Sequence, residues 1–269
     1  MSPRATVAGS GRIAAEQVAG ASALVAAWGS DPLKILPIRS RGVAAWACIT
    51  TYGGGLLAGD RIALELEVAP GSRLLLTSQA STKIFRSSGL ISDMTITARV
   101  AAGGLLVSLP EPICPFATAR YRQQVHLDLA EGASLIWLDS VTAGRSTRGE
   151  HWAADSLEFG LEVTRNGRPI LIDRFELSPV SGLEAISAIA TIIAIGPLAA
   201  PIAAALLASA DPPGDRHPTL LLISNALPAA TDGVILRLAA ADTQSATRVL
   251  RTALAGCAEL VGAEPFAGR

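Results

Sequence analysis

The sequence predicts a mainly β protein: a layered, β-helix-like stack of repeated hairpins with a few helices, mostly near the C-terminus. Three observations predict it. First, a turn with glycine at its end recurs: Val68-Ala69-Pro70-Gly71, Val100-Ala101-Ala102-Gly103, Leu129-Ala130-Glu131-Gly132 and, more loosely, Thr164-Arg165-Asn166-Gly167. The period is about thirty residues, in the range of stacked repeat units. Second, an alternating strand precedes each turn. Ile62, Leu64, Leu66 and Val68 are interleaved with Arg61, Glu65 and Glu67 before the first turn. Period-two alternation marks a strand with one wet face. Third, each turn is followed by a short strand apolar on both faces, such as Leu74-Leu75-Leu76 and Leu135-Ile136-Trp137-Leu138. Such a strand must lie between two layers.

A lone hairpin cannot bury these surfaces, whereas stacked units share a continuous core. Residues from about 35 to 180 therefore read as the stack, either β-helix-like or a sandwich of meanders. The first thirty residues are ambiguous, and the stretch from Ile13 to Trp28 fits a helix or a strand. Gly53, Gly54 and Gly55 lead into a strand rather than a helix, with Gly59-Asp60 as a second turn. That order argues against a phosphate cradle, which needs its glycines at a helix N-terminus.

The last third has a different texture. Ala185 to Ala210 carries no charge, long enough to cross a bilayer, but Gly196-Pro197 and Pro201 interrupt it. A β-branched strand from Ile186 to Ile195 and a packed helix from Leu198 to Ala210 account for both halves. Thr219 to Ser224 and Val234 to Leu238 read as strands. Asp242 or Thr243 caps an expected single helix from Gln244 to about Val261, with Ala246, Val249, Leu250, Leu254, Cys257 and Val261 on one stripe. The whole, residues 1–269, is expected to be one domain, with the mixed part from about 181 packed on the stack.

Composition excludes several functions. Half the residues are apolar, 17% are charged and the formal net charge is −1, so no global field steers the chain to nucleic acid or an anionic membrane. Cys48, Cys114 and Cys257 are odd in number and lack a CxxC pair, so a disulfide framework is not expected and the cytoplasm is. The N-terminus has no apolar segment of a signal peptide. His126, His151 and His217 lack ligand spacing, so no tight metal site is expected.

Stacking brings equivalent positions together. The polar residues after each second strand should gather at one end: Thr77 to Lys83, Glu111, Asp139 with Ser140, Thr142 and Arg145, then Asp173, Arg174 and Glu176. Asp60 sits in its own turn. Carboxylates at strand ends commonly cap turns or pair with arginine. The functional alternative is a polar route or a transient cation site, since buried carboxylates without partners are costly. A carbohydrate enzyme with Asp139 and Asp173 as acid and base is a further reading, against which stands the shortage of aromatic residues to grip a sugar.

The motifs carry a resemblance. Asp31-Pro32-Leu33-Lys34, Arg39-Ser40-Arg41-Gly42 with Ala45-Trp46, GGGLLAGD from Gly53 to Asp60, QASTKIFRS from Gln79 to Ser87, LPEPICPFATARYRQ from Leu109 to Gln123 and GRSTRGE from Gly144 to Glu150 resemble the urease accessory protein UreD, also called UreH. Gly53, Gly54, Gly55, Gly59, Lys83, Arg86, Glu111 and Arg120 belong to these motifs. Phe85 stands where tyrosine is common, and the first thirty residues match poorly. The resemblance implies a non-enzymatic chaperone of nickel delivery that binds the urease structural subunits and UreF, and through UreF the GTPase UreG, in a complex that can be dimeric. It also implies an internal water-filled route for Ni²⁺ lined by Asp60, Ser81, Thr82, Asp139 and Asp173, with no tightly bound cofactor. Oxygen ligands hold Ni²⁺ weakly beside imidazole or thiolate and so suit passage. A scaffold without a route is the alternative.

Overall fold

Side-chain parity explains the layers of this molecule, known from a computed structural model. The structure describes residues 8–39, 42–178, 182–209, 220–228 and 231–266. His217, Thr219 and the Ser40-Arg41 pair of one motif lie outside them. The strands, in chain order, are β1 (Ala8–Val18), β2 (Ala21–Gly29), β3 (Leu33–Ile38), β4 (Ala45–Thr51), β5 (Gly55–Leu56), β6 (Arg61–Val68), β7 (Arg73–Ser78), β8 (Thr82–Ile84), β9 (Ser92–Val100), β10 (Leu105–Leu109), β11 (Ile113–Pro115), β12 (Arg120–Leu129), β13 (Ser134–Thr142), β14 (Ser156–Arg165), β15 (Arg168–Leu177), β16 (Ala188–Ile195), β17 (Leu220–Ala226) and β18 (Gly233–Ala240). The helices are α1 (Ala200–Ala208), α2 (Thr243–Ala253) and α3 (Cys257–Val261).

The stack is a β-solenoid. Successive coils run β4-β5-β6, β7-β8-β9 and β10-β11-β12, and a fourth runs β13, a loop and β14. Strands β6, β9, β12 and β14 pair in parallel in one sheet. Strands β4, β7, β10 and β13 pair in parallel in a second. The short β5, β8 and β11 form a third wall. The two arms of each of the first three repeats do not pair with each other: the Pro70-Gly71 turn, for example, carries the chain from one sheet to the other. Gly71, Gly103 and Gly132 hold positive φ at the three equivalent corners, a conformation glycine adopts without penalty.

Parity in the second sheet is explained by what lies on either side. Leu74, Leu76, Leu106, Leu135 and Trp137 face the solenoid interior. Leu75, Leu105, Val107, Ile136 and Leu138 face a second core beneath the helices. Each such fully buried side chain contributes roughly 1.5–3 kcal/mol relative to exposure. Among the described residues the first sheet has no outer layer, and the outward positions of β6, β9 and β12 are polar but for Ala63.

Two expectations are corrected and one open reading is decided. The loose fourth repeat is a true hairpin: β15 folds back antiparallel on β14 within the first sheet. Its Asp173, Arg174 and Glu176 are too polar to enter a sheet covered on both faces. The wholly uncharged β16 takes that place beside β13, antiparallel. The expected single C-terminal helix is two helices. Asp242 caps α2, its Oδ1 accepting from the Ser245 N–H at 2.7 Å. The chain then breaks, and a Cβ on Gly256 would stand 2.9 Å from Ile202 Cδ1. The ambiguous N-terminal stretch is a pair of strands, β1 and β2, with β1 parallel to β6. The uncharged run from Ala185 to Ala210 divides into β16 and α1 around Gly196-Pro197. Among the described residues, no helix is long and apolar enough to cross a membrane.

Candidate functional site

The third wall collects the motifs. GGGLLAGD contains β5, QASTKIFRS contains β8, LPEPICPFATARYRQ contains β11 and runs into β12, and GRSTRGE is the loop of the fourth coil. They occupy equivalent places in successive coils. Gly55 pairs with Lys83, and Lys83 with Cys114, in parallel register.

One carboxylate ties three of these segments together. Glu150 accepts hydrogen bonds from Arg145 Nε at 2.9 Å and Nη2, from Arg86 Nη2 at 2.5 Å, and from the Ala117 N–H at 3.1 Å. The Arg145 guanidinium lies over the Phe116 ring, 3.8 Å from its centroid, and Phe85 meets Phe116 edge-on. The bonds from Arg145, then those from Arg86 and the Ala117 amide, pull the Glu150 carboxyl down to about 2.

Behind the wall, between the two sheets, is a cavity of about 50 Å³, room for a few waters. Leu56, Ile62, Leu76, Met94 and Ile96 make its apolar side. Ser78, Thr82, Ser108, Glu111, Gln123, Asp139 and Ser140 make a polar side. The Ser140 hydroxyl is buried and has no hydrogen-bond partner in the protein.

Asp139 is the best-supported group in the cavity. Its Oδ1 accepts from Gln123 Nε2 at 2.8 Å and its Oδ2 from Trp137 Nε1 at 2.9 Å. Protein surrounds it, and the surface it keeps opens on the cavity. Burial pushes its carboxyl up to about 6; the bonds from Trp137 and Gln123 pull the other way, and the charge of Asp173 adds to the rise. Behind Gln123 the buried Tyr121 hydroxyl donates to Gln123 Oε1 at 3.0 Å. Burial, then the charges of Asp139 and Asp93, raise the Tyr121 phenol above its ordinary range.

The structure brings together some residues of the expected row and separates others. Thr82, Glu111, Asp139 and Ser140 line the cavity; Asp60, Ser81 and Asp173 do not. Asp60 is buried as a turn cap, its Oδ2 accepting from the Leu57 N–H at 2.8 Å. Asp173 sits on β15 and pairs with Arg237 Nη2 at 2.5 Å. Of the motif residues, Gly53, Gly54 and Gly59 hold positive φ in the turns around β5. Lys83 is exposed. Arg120 bonds the Gly89 carbonyl and pairs with Asp155 at 3.5 Å. Cys48, Cys114 and Cys257 form no disulfide. Among the described residues, no group of three His, Cys, Asp or Glu is placed to hold a metal. The residues that sequence reasoning missed are Gln123, Trp137 and Tyr121. Gln123 carried a signal: a polar residue in the inward phase of an alternating strand, between Tyr121 and Val125.

Comparison with known proteins agrees with the motif grouping. A family model described as UreD urease accessory protein matches residues 7–269. Urease accessory protein UreD of Anaeromyxobacter sp. (strain Fw109-5) is 42% identical over 267 residues, covering 97% of this chain and 89% of that protein. Urease accessory protein UreD of Sorangium cellulosum (strain So ce56) is 41% identical over 269 residues, covering 98% and 85%. Urease accessory protein D of Arabidopsis thaliana is 34% identical over 147 residues, covering 53% and 50%.

Proposed function

The chain belongs to the UreD family of urease accessory proteins and so has a role in urease maturation; we propose that it fills this role as a non-catalytic chaperone with an internal polar route for nickel. It docks the urease structural subunits and UreF, and through UreF the GTPase UreG, in the cytoplasm. Nickel is its cargo. The observation that carries the reading is the cavity, where Thr82, Glu111 and Asp139 form part of the lining inside an otherwise apolar solenoid.

The chemistry supports passage. Ni²⁺ prefers imidazole or thiolate to carboxylate and hydroxyl, so an oxygen-lined space receives the ion without trapping it. The carboxylate of Asp139 is left for water or a cation on the side its two protein donors do not cover. The charge of Asp173 bears on Asp139 from outside the lining.

A scaffold without a route is the second reading. Val25, Trp28, Leu36 and Ile38 are exposed on β2 and β3, and exposed apolar groups at one end of a stack suit docking. Thr82→Phe separates the two readings, because it fills the cavity and leaves those surfaces untouched. The variant is co-expressed with urease, UreF and UreG, partners are assayed by co-purification, and the nickel content of purified urease is measured. Normal co-purification with nickel content cut several-fold supports the route. Normal co-purification with normal nickel content, in both Thr82→Phe and Asp139→Ala, overturns the route and leaves the scaffold.

A further inference from the structure

Gln123 lies on the inward face of the first sheet, in a cross-strand row with Ile62, Met94 and Phe159. The other three are buried apolar side chains, and Gln123 is only 5% exposed. Burying an amide where a leucine would pack costs free energy unless its groups are bonded. Packing therefore gives no reason for glutamine at this place; what it touches does.

The amide is held in one orientation by both of its neighbours. A carboxylate accepts and does not donate, so the Gln123 group facing Asp139 Oδ1 at 2.8 Å must be the NH₂. That leaves the carbonyl toward Tyr121, whose hydroxyl is 3.0 Å away and donates to it. Tyr121 is fully buried, so no solvent competes for that proton. The result is a chain of one polarity, Tyr121 to Gln123 to Asp139, met from the other side by Trp137 Nε1 at 2.9 Å. Each carboxylate oxygen receives one donor from the protein. The plane of the carboxylate is thus set by groups on two sheets, and its remaining lone pairs are left for the cavity.

We propose that Gln123 and Tyr121 are positioning residues, which hold Asp139 in the orientation that receives the nickel cargo. This rests on the route reading above. Outer hydrogen-bond partners of a metal-binding carboxylate commonly change affinity about ten- to a hundredfold when removed. Loss of the Gln123 donor would free Asp139 to turn, and a site used only for passage would then fill at higher nickel.

The test is a nickel titration in cells co-expressing urease, UreF, UreG and the full chain. The readouts are nickel content of purified urease and co-purification of the chain with its partners. Gln123→Leu, close in volume, and Tyr121→Phe are compared with wild type and with Asp139→Ala. The expected result is a half-saturating nickel concentration raised about tenfold in Gln123→Leu and less in Tyr121→Phe, with the wild-type plateau reached in both. A lowered plateau with no shift in half-saturation marks a purely structural role and overturns the proposal. Should Gln123→Leu fail to co-purify, Tyr121→Phe decides alone by the same criterion. Impaired loading in Asp139→Ala with normal titrations in both other variants overturns the positioning role and leaves the route standing. Normal loading in Asp139→Ala overturns the route, and the positioning role with it.

Discussion

The carbonyl oxygen of Lys83 lies so close to Gly55 that a Cβ on the glycine would stand 2.3 Å from it. The contact joins β5 to β8, the first two strands of the third wall. Gly55 has an extended backbone, so the constraint is space and not φ. Gly55→Ala must push the wall apart, a kind of overpacking that costs about 1–3 kcal/mol. A thermal melt should show a Tm lowered by several degrees, and Gly53→Ala, with open space around it, should act only through its positive φ.

Glu150 gives the fold an acid limb. Its carboxyl is held down at about 2, against an ordinary 4.5, by Arg145 first and then Arg86. A depressed carboxyl stabilises the fold above its unfolded pKa, and the contribution is lost as pH falls through the folded value. The window is therefore from about pH 5 down to pH 2. Glu150→Gln should melt lower than wild type at pH 7, and the gap between the two Tm values should close across that window. A constant gap would show that Glu150 does not supply the acid limb.

Asp139 behaves in the opposite sense. Burial raises its carboxyl from 3.8 to about 6, so the folded state holds a proton that the unfolded chain has lost. Stability from this group is then greatest below about pH 4 and declines as pH rises through 6. The carboxyl carbon of Asp139, followed by NMR, should titrate with a midpoint near 6. Asp173→Asn should lower that midpoint, since it removes a negative charge that favours the protonated form. A midpoint left in place would mean that the charge of Asp173 is screened from the cavity.

The cap of α2 offers a test remote from the cavity. Asp242 bonds both the Ser245 N–H and its hydroxyl, at 2.7 and 2.8 Å. Asp242→Ala should remove the cap and destabilise the fold, read as a lowered urea midpoint with unchanged slope. Nickel loading of urease should not change, because α2 packs on the outer side of the second sheet and not on the cavity.

How much of this was legible follows from what each residue's neighbours impose. The stack was legible because alternation in β6, β9 and β12 and the double-sided apolar character of β7, β10 and β13 are local consequences of layering. The fate of the fourth repeat was not, because a short apolar run after Gly167 resembles its predecessors. Only the competition with β16 for the place beside β13 decides against it. In the site, Thr82, Glu111 and Asp139 were legible as polar residues at equivalent corners. Asp60 and Asp173 look the same in sequence, yet one caps a turn and the other pairs with Arg237. That difference depends on a neighbouring amide and on a strand sixty-odd residues away, which no local pattern encodes. Gln123 was hidden in the converse way, as the polar member of an inward-facing row.

The four outermost strands of the two sheets, β2, β15, β3 and β17, each run antiparallel to the strand beside them. A solenoid grows by laying a parallel coil on a parallel coil, and among the described residues neither of the two main sheets ends on a parallel pair, although the short third wall does, at β5. The coil-on-coil repeat of the two main sheets is therefore interrupted at both ends by a strand of opposite sense, which works against growth into a filament, the hazard of any repeating β structure with open edges. It also follows that an extra coil would be admitted in the interior of the array and refused at its termini, so changes of length in such a protein should arise by insertion between existing coils.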